Sequence, residues 1–110
     1  MLDRAHRLIR SDDFRRVMRR GTKSTSSFVA VYSAPNERGL CRFGIITAKT
    51  VGNAPQRNKF RRQLRAIAHE LPDQLSLDCV IRVLPAASEA SWEQLREDTV
   101  RLITEGQAHD

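Results

Sequence analysis

Arginine side chains recur at a regular spacing near the middle of the chain. Arg57, Arg61 and Arg65 stand four residues apart, and residues 49–65 contain six basic side chains and no acidic one. Residues four apart share one face of a helix, so these guanidinium groups would repel one another unless an anion neutralised them. A planar guanidinium fork suits bidentate hydrogen bonding to phosphate. The spacing therefore predicts a phosphate-binding ridge.

The neighbouring residues predict the helix that carries this ridge. Asn53 is a good N-cap, Gln56 completes a capping box three residues later, and Pro55 is tolerated in the first turn. The free backbone N–H groups at Gly52 and Asn53 would form a second phosphate-binding device. An apolar stripe at helical spacing would pack on the sheet, and it consists of Phe60, Leu64, Ile67, Ala68 and Leu71.

The apolar stripe determines which polar side chains face outward. At about 100° per residue, Asn58 and Arg62 extend the ridge around the outward face, whereas Lys59 points elsewhere. Arginine outnumbers lysine sixteen to three in the chain. This composition favours forked contacts with a phosphodiester backbone.

Charge is segregated along the chain. The net charge is +4 over residues 1–20, +7 over residues 21–70 and −5 over residues 71–110. A basic region of this kind favours polyanions, because each neutralised phosphate releases condensed counterions. The alternative interpretation is a basic surface that is simply solvated.

Composition argues against several other classes of protein. A chain of 110 residues suits a single domain over residues 1–110, and it has no apolar run of bilayer length and no secretory signal, so we expect a cytoplasmic protein. Cys41 and Cys79 form no CxxC pair and are expected to be reduced structural thiols. His6, His69 and His109 are scattered, so we expect no metal site and no catalytic histidine.

Local signals outline the remaining helices. Ser11 is a plausible N-cap of a first helix that ends at Gly21 and carries the apolar stripe Phe14, Val17 and Met18. A closing helix can start at Ser91, whose spacing to Gln94 is that of a capping box. Trp92 begins an apolar stripe in this helix and is interpreted as a core residue.

Strand signals occur at residues 28–32, 42–47 and 78–84, the last closed by Pro85. Strands and helices mix within one short chain. The order predicts a single α+β layer structure.

The central segment resembles the bacterial ribonuclease P protein family, whose signature is Lys-x-x-Gly-Asn-Ala leading into an Arg-Asn helix with repeated basic residues. The matching residues are Lys49, Gly52, Asn53, Ala54, Arg57, Asn58, Arg61, Arg62 and Arg65. The resemblance covers essentially the whole chain. Thr50 stands where the family often has a basic residue, Lys59 where it commonly has Arg, and Pro55 where an apolar residue is usual.

The resemblance implies a single-domain α-β sandwich of about four strands, with a left-handed crossover before the Arg-Asn helix. It also implies that the catalyst is the RNA subunit of ribonuclease P, which uses Mg²⁺ to remove the 5′ leader of precursor tRNA. The chain would then bind no cofactor and contain no catalytic residue. It would bind the RNA subunit and precursor tRNA, and raise the affinity for substrate and for magnesium.

The resemblance assigns two groups of residues. RNA-subunit binding is expected of Gly52, Asn53, Arg57, Asn58, Lys59, Arg61, Arg62 and Arg65. Leader binding, in a cleft between the sheet and the first helix, is expected of Phe14, Met18, Ala30, Tyr32, Ile46, Ala48, Lys49 and Thr50.

Strand alternation gives a separate indication of the cleft. Phe28, Ala30 and Tyr32 would share one face of their strand, and Gly44, Ile46 and Ala48 one face of the next. Tyr32 suits a stacking platform for an unpaired base. The alternative is that Phe14, Phe28 and Met18 are core residues, and this is the favoured interpretation for Phe28, whereas for Tyr32 the two interpretations are balanced.

Two other functions are consistent with a basic chain of this size. One is a general RNA-binding or chaperone module associated with ribosomal RNA. The other is a protein-only nuclease, which needs a carboxylate cluster or a histidine base. Residues 49–65 contain neither, and the position of the adjacent acids Asp12 and Asp13 at a helix start explains them structurally.

Overall fold

The computed structural model describes residues 3–107, without the side chains of residues 106 and 107. Three helices form, namely α1 (Ser11–Arg20), α2 (Ala54–His69) and α3 (Trp92–Gln107). Four strands form, namely β1 (Thr22–Thr25), β2 (Val29–Pro35), β3 (Arg42–Ile46) and β4 (Leu77–Val83). The predicted α+β class is confirmed.

The four strands form one mixed sheet in the order β1-β2-β4-β3. β3 and β4 are parallel, and the other neighbouring pairs are antiparallel. α2 lies within the connection between the two parallel strands, which is the crossover that the family resemblance implies. The left-handed sense of this crossover stays a prediction.

Helices cover both faces of the sheet. α2 and α3 cover one face, and the major core lies there, with Leu64, Ile67, Ile81 and Ile103 at its centre. α1 covers the other face over a smaller cluster, the minor core. The minor core consists of Leu8, Val17, Ala30, Tyr32, Ala34 and Val80, flanked by the half-buried Phe14, Met18 and Ile46.

Strand β1 was not predicted. Its sequence, Thr-Lys-Ser-Thr, has no apolar alternation because β1 is an edge strand whose side chains remain largely exposed. It forms through backbone pairing with β2, with Lys23 opposite Tyr32. A strand that depends on its partner in this way has little local signal.

Three local predictions were wrong. The N-cap of α1 is Arg10, with no side-chain cap, and Ser11 is the first helical residue. Phe28 precedes β2 and packs against the major core, so it does not share the face of Ala30 and Tyr32, although its core role is confirmed. Trp92 is 41% exposed because it is the first residue of α3, before the buried stripe begins at Leu95.

Gly21 ends α1 as predicted, although its backbone is extended, with φ −77°. Glycine is needed at this position because backbone atoms of Val17 and Ser33 pack closely against it. A Cβ atom there would contact the Val17 carbonyl oxygen and lie 2.7 Å from that of Ser33. Both cysteines are free and buried, in agreement with their predicted structural role.

Candidate nucleic-acid interface

The start of α2 is built by the predicted capping box. The Gln56 backbone N–H donates to Asn53 Oδ1 at 3.0 Å, and the Asn53 N–H donates to Gln56 Oε1 at 2.9 Å. Gly52 precedes this cap with φ +153° and ψ −169°, a conformation that is essentially restricted to glycine. A Cβ atom on Gly52 would also collide with the Gln56 amide. Gly52 and Asn53 therefore determine where the helix begins.

The apolar stripe orients α2 as its spacing predicts. Phe60, Leu64, Ile67 and Ala68 are buried in the major core, and Leu71 packs against it half-buried. The opposite face of the helix therefore points to solvent. Burial of such a stripe, at roughly 1.5–3 kcal/mol for each large side chain, stabilises one orientation strongly.

The polar side chains of α2 divide into two groups. Arg57, Arg61 and Arg65 are half-buried along the edge of the stripe, whereas Asn58, Lys59 and Arg62 are exposed. The ridge is thus formed as predicted, with its stems packed on the protein surface. Long basic side chains commonly bury their stems while the charged head meets solvent.

The ridge is electrostatically unsatisfied. Within the described residues none of its arginines forms an ion pair, in contrast to Arg15 with Asp12 and Arg96 with Glu70. Arg61 Nη1 donates only to Asn58 Oδ1, at 2.7 Å, and the buried Nε of Arg57 has no hydrogen-bond partner in the described part of the chain. Guanidinium groups in this condition bind carboxylate or phosphate strongly.

The C-terminal end of the ridge opens into a groove of about 250 Å³. Arg65 and Arg7 supply its charge, and Phe14, Ile9 and Ile45 are among its apolar lining. Leu8 is held at this edge because its N–H donates to the Phe43 carbonyl at 2.9 Å. The ridge and α1 thus border one continuous surface.

The residues expected to bind the leader divide by exposure. Phe14, Met18 and Ile46 meet Ala30 and Tyr32 in the minor core. Ala48, Lys49 and Thr50, in the connection from β3 to α2, are exposed.

Tyr32 does not form the open platform that strand alternation suggested. It is 8% exposed and Ala30 is 3% exposed, so neither offers a free face to an unpaired base. The Nζ atom of Lys23 lies 5.5 Å from the centroid of the Tyr32 ring. The accessible part of this surface therefore belongs to Phe14, Met18 and Ile46.

A buried carboxylate, which sequence reasoning missed, joins α1 to the sheet. Asp78 is fully buried in β4, and Arg42 binds it through Nε to Oδ1 at 2.8 Å and Nη2 to Oδ2 at 2.7 Å. Arg16 of α1 also donates to Asp78, as does Asn36 Nδ2 at 2.9 Å. Burial alone would raise the pKa of Asp78, but the hydrogen bonds from Arg42, Asn36 and Arg16 hold it below its ordinary value. The sequence signal that could have revealed this cluster was an aspartate within a strand rich in Val and Ile.

Comparison with known sequences establishes the family of this chain. The sequence profile of the family described as Ribonuclease P matches residues 2–106. The chain belongs to the ribonuclease P protein family. The ribonuclease P protein component of Clavibacter michiganensis is 36% identical over 110 residues, covering 94% of this chain and 95% of that protein. That of Pseudarthrobacter chlorophenolicus is 43% identical over 101 residues, covering 89% and 74% respectively.

Solved structures of ribonuclease P proteins share the fold. A Staphylococcus aureus RNase P protein mutant, described as defective in mRNA degradation activity, superposes with a TM-score of 0.82 at 23% identity, covering 94% of this chain and 89% of that one. The RNase P protein of Thermotoga maritima gives 0.80 at 24% identity, covering 90% and 96%. At these levels of sequence identity, the structural similarity establishes the fold alone.

Family membership makes the chain a ribonuclease P protein component, part of an RNA-processing endoribonuclease complex. No described helix has the length and apolar character needed to cross a membrane. Residues 3–107 contain no group of three His, Cys, Asp or Glu side chains arranged to hold a metal ion.

Proposed function

We propose that this protein binds the RNA subunit of ribonuclease P through α2 and assists that RNA, in the cytoplasm, in removing the 5′ leader of precursor tRNA. The observation that carries the proposal is the ridge of Arg57, Arg61 and Arg65, which has no carboxylate partner in the described chain. The ridge is preorganised, because the capping box and the apolar stripe hold the helix before any ligand arrives.

In this proposal the outward face of α2 contacts the phosphodiester backbone of the RNA subunit. The arginine ridge, extended by Asn58 and Arg62, supplies forked donors, and Lys59 adds a peripheral charge. Gly52 and Asn53 act by setting the start of α2 and not as the predicted second phosphate-binding device, because the Gly52 N–H donates to the Lys49 carbonyl at 3.3 Å and the Asn53 N–H donates to Gln56 Oε1.

The leader would occupy the surface beside α1. Phe14, Met18 and Ile46 supply half-buried apolar contacts for unpaired bases. Ala48, Lys49 and Thr50 border this surface on the way to α2, and Ala30 and Tyr32 support it from below. Thr50 supplies a hydroxyl where the family often supplies a charge, which removes one possible phosphate contact.

Catalysis is assigned to the RNA subunit, which would hold the Mg²⁺ that the phosphodiester hydrolysis requires. The protein would raise the affinity for substrate and for magnesium by reducing phosphate repulsion. Its net charge is +6, and its basic side chains neutralise backbone charge that metal ions would otherwise have to screen.

Reconstitution with a bacterial ribonuclease P RNA at low magnesium tests this function. We expect the protein to stimulate cleavage of precursor tRNA, and an Arg57→Ala/Arg61→Ala double variant to stimulate it less. Arg101→Ala changes an exposed arginine of α3, outside the ridge, and is the matched control that should behave as wild type. Absence of stimulation by the wild-type protein would refute the proposal.

A general RNA-binding or chaperone role makes a different prediction. Such a module would bind a precursor with a 5′ leader no better than mature tRNA. A holoenzyme preference for the leader-bearing precursor therefore separates the two functions.

A further inference from the structure

The sheet face beneath α1 is arranged in rows that run across the strands. Ala34, Asp78 and Arg42 form the first row, on β2, β4 and β3. Lys23, Tyr32, Val80 and Gly44 form the second row, which includes β1. Thr25, Ala30, Arg82 and Ile46 form the third row.

α1 covers the first two rows, and in the third row only Ala30 is buried. Arg16 reaches Asp78 in the first row, and the ring of Phe14 lies directly over Gly44 in the second. In the third row Arg82 is exposed and Ile46 is half-buried. The third row therefore forms the floor of the accessible part of this face.

Arg82 is the charged residue of the third row. It lies on β4, which is an inner strand, between Ala30 and Ile46, and neither neighbour can neutralise it. Within the described residues Arg82 forms no ion pair and no side-chain hydrogen bond, whereas Arg42, two rows away on the same face, is bound to Asp78. An inner strand normally favours β-branched or aromatic residues. An unpaired arginine in this position is better explained by a ligand than by the fold.

The third row also leads towards α2. Ile46 lies opposite Arg82 and ends β3, and Lys49 follows three residues later in the exposed connection. Lys49, like Arg82, has no ion-pair partner among the residues described. A polyanionic strand lying along this row would meet Arg82 and Lys49 in succession before it reached the start of α2.

We propose that Arg82 binds a backbone phosphate of the single-stranded 5′ leader where it crosses the third row. This inference rests on the proposed function, which it deepens by naming a further leader-binding residue. Ile46 would contact a base while the guanidinium group of Arg82 binds the phosphate. Proteins that bind single strands commonly combine side chains that contact the bases with basic side chains that bind the backbone. RNA is the favoured occupant because, among the described residues, Arg82 and Lys49 have no ion-pair partner, whereas the carboxylate of this sheet face, Asp78, is already bound by Arg42.

The test uses the reconstituted holoenzyme, with Arg82→Gln compared with wild type and with Arg101→Gln on α3 as the matched surface control. Dissociation constants are measured over a salt series for a precursor with a 5′ leader and for mature tRNA. We expect Arg82→Gln to weaken precursor binding about three- to tenfold and to reduce its salt slope by about 0.7, the value for one phosphate of a single strand. Binding of mature tRNA should not change.

The possible outcomes are distinct. Equal affinity of the wild-type holoenzyme for precursor and mature tRNA would contradict the proposed function itself. Wild-type preference for the precursor, with Arg82→Gln retaining both affinity and slope, would overturn the role of Arg82 alone. An equal loss for both RNAs would also overturn it. Arg82→Lys should restore the salt slope, which a merely structural role would not require.

Discussion

The Asp78 carboxylate accepts two hydrogen bonds from the guanidinium group of Arg42, at 2.8 and 2.7 Å, across the parallel pair of β4 and β3. Asp78 is fully buried and the Arg42 side chain is 14% exposed. A buried charge that loses its partner is costly, whereas an exposed pair contributes little. Arg16 of α1 donates to the same carboxylate, so the cluster of Asp78, Arg42 and Arg16 ties α1 to the sheet.

Asp78→Asn should destabilise the protein by about 3 kcal/mol, because it leaves the guanidinium group of Arg42 without its charged partner. Urea unfolding measures this change in the free energy of unfolding. Asp98→Asn, which removes the surface pair with Arg101, is the matched control and should change stability little. Similar effects of the two variants would contradict the assigned importance of the buried cluster.

The same cluster predicts a loss of stability in acid. The folded pKa of Asp78 lies below its ordinary value of 3.8, so its contribution is complete above that pH and is lost as the pH falls through the folded pKa. The difference in unfolding free energy between wild type and Asp78→Asn should therefore shrink as the solution is acidified below 3.8. A difference that is constant with pH would exclude this linkage.

The contacts of His6 predict a loss of stability as the pH rises, whereas those of Asp78 predict one as the pH falls. Its Nδ1 lies 2.6 Å from Asp3 Oδ1 and its Nε2 lies 3.1 Å from Asp73 Oδ1. The hydrogen bond with Asp3, with a further contribution from Asp73, raises the pKa of His6 above its ordinary value of 6.5. The stabilisation is thus complete below 6.5 and is lost as the pH rises through the folded pKa.

Unfolding measured at about pH 5.5 and about pH 8.5 checks this linkage. Wild type should lose more stability between the two conditions than His6→Gln does. His69→Gln serves as the control because His69 is exposed. Identical pH profiles for wild type and His6→Gln would show that this contact does not contribute.

The arginine ridge predicts a salt-dependent loss of RNA binding. Arg57→Ala and Arg61→Ala should each weaken binding to the RNA subunit and lower the salt slope by about one phosphate equivalent. Lys59→Ala should have a smaller effect, because Lys59 lies off the ridge on the same helix. Filter binding over a salt series measures all three variants, and an unchanged slope for the ridge variants would count against the interface.

Gly52→Ala should weaken the start of α2. Its positive φ and its contact with Gln56 together predict a loss of about 2 kcal/mol. Gly39→Ala is the matched control, since Gly39 has φ +72° but an added Cβ there would meet nothing within 4 Å. It should cost less, about 1 kcal/mol, from backbone strain alone. Urea unfolding compares the two, and equal losses would exclude the contact with Gln56 as a cause.

Helix α2 could be predicted almost completely because its signals are local. The capping box of Asn53 and Gln56 lies within one turn, and the stripe of Phe60 and Leu64 repeats within two. Local signals also predicted β2, β3 and β4, and the family resemblance added the number of strands and the crossover. β1 could not be predicted, since an edge strand of four mostly exposed residues forms only through its partner β2.

The sequence by itself determined that α2 exists, where it begins and which of its faces is basic, because these features depend on residues a few positions apart. Only the tertiary structure decided which arginines remain without an ion-pair partner. Arg16 and Arg42 are bound by Asp78, 62 and 36 residues away along the chain, whereas the ridge of α2 and Arg82 meet no such partner in the described residues. Whether an arginine forms an ion pair depends on which carboxylate the fold places beside it, and residues near it in the sequence do not determine this.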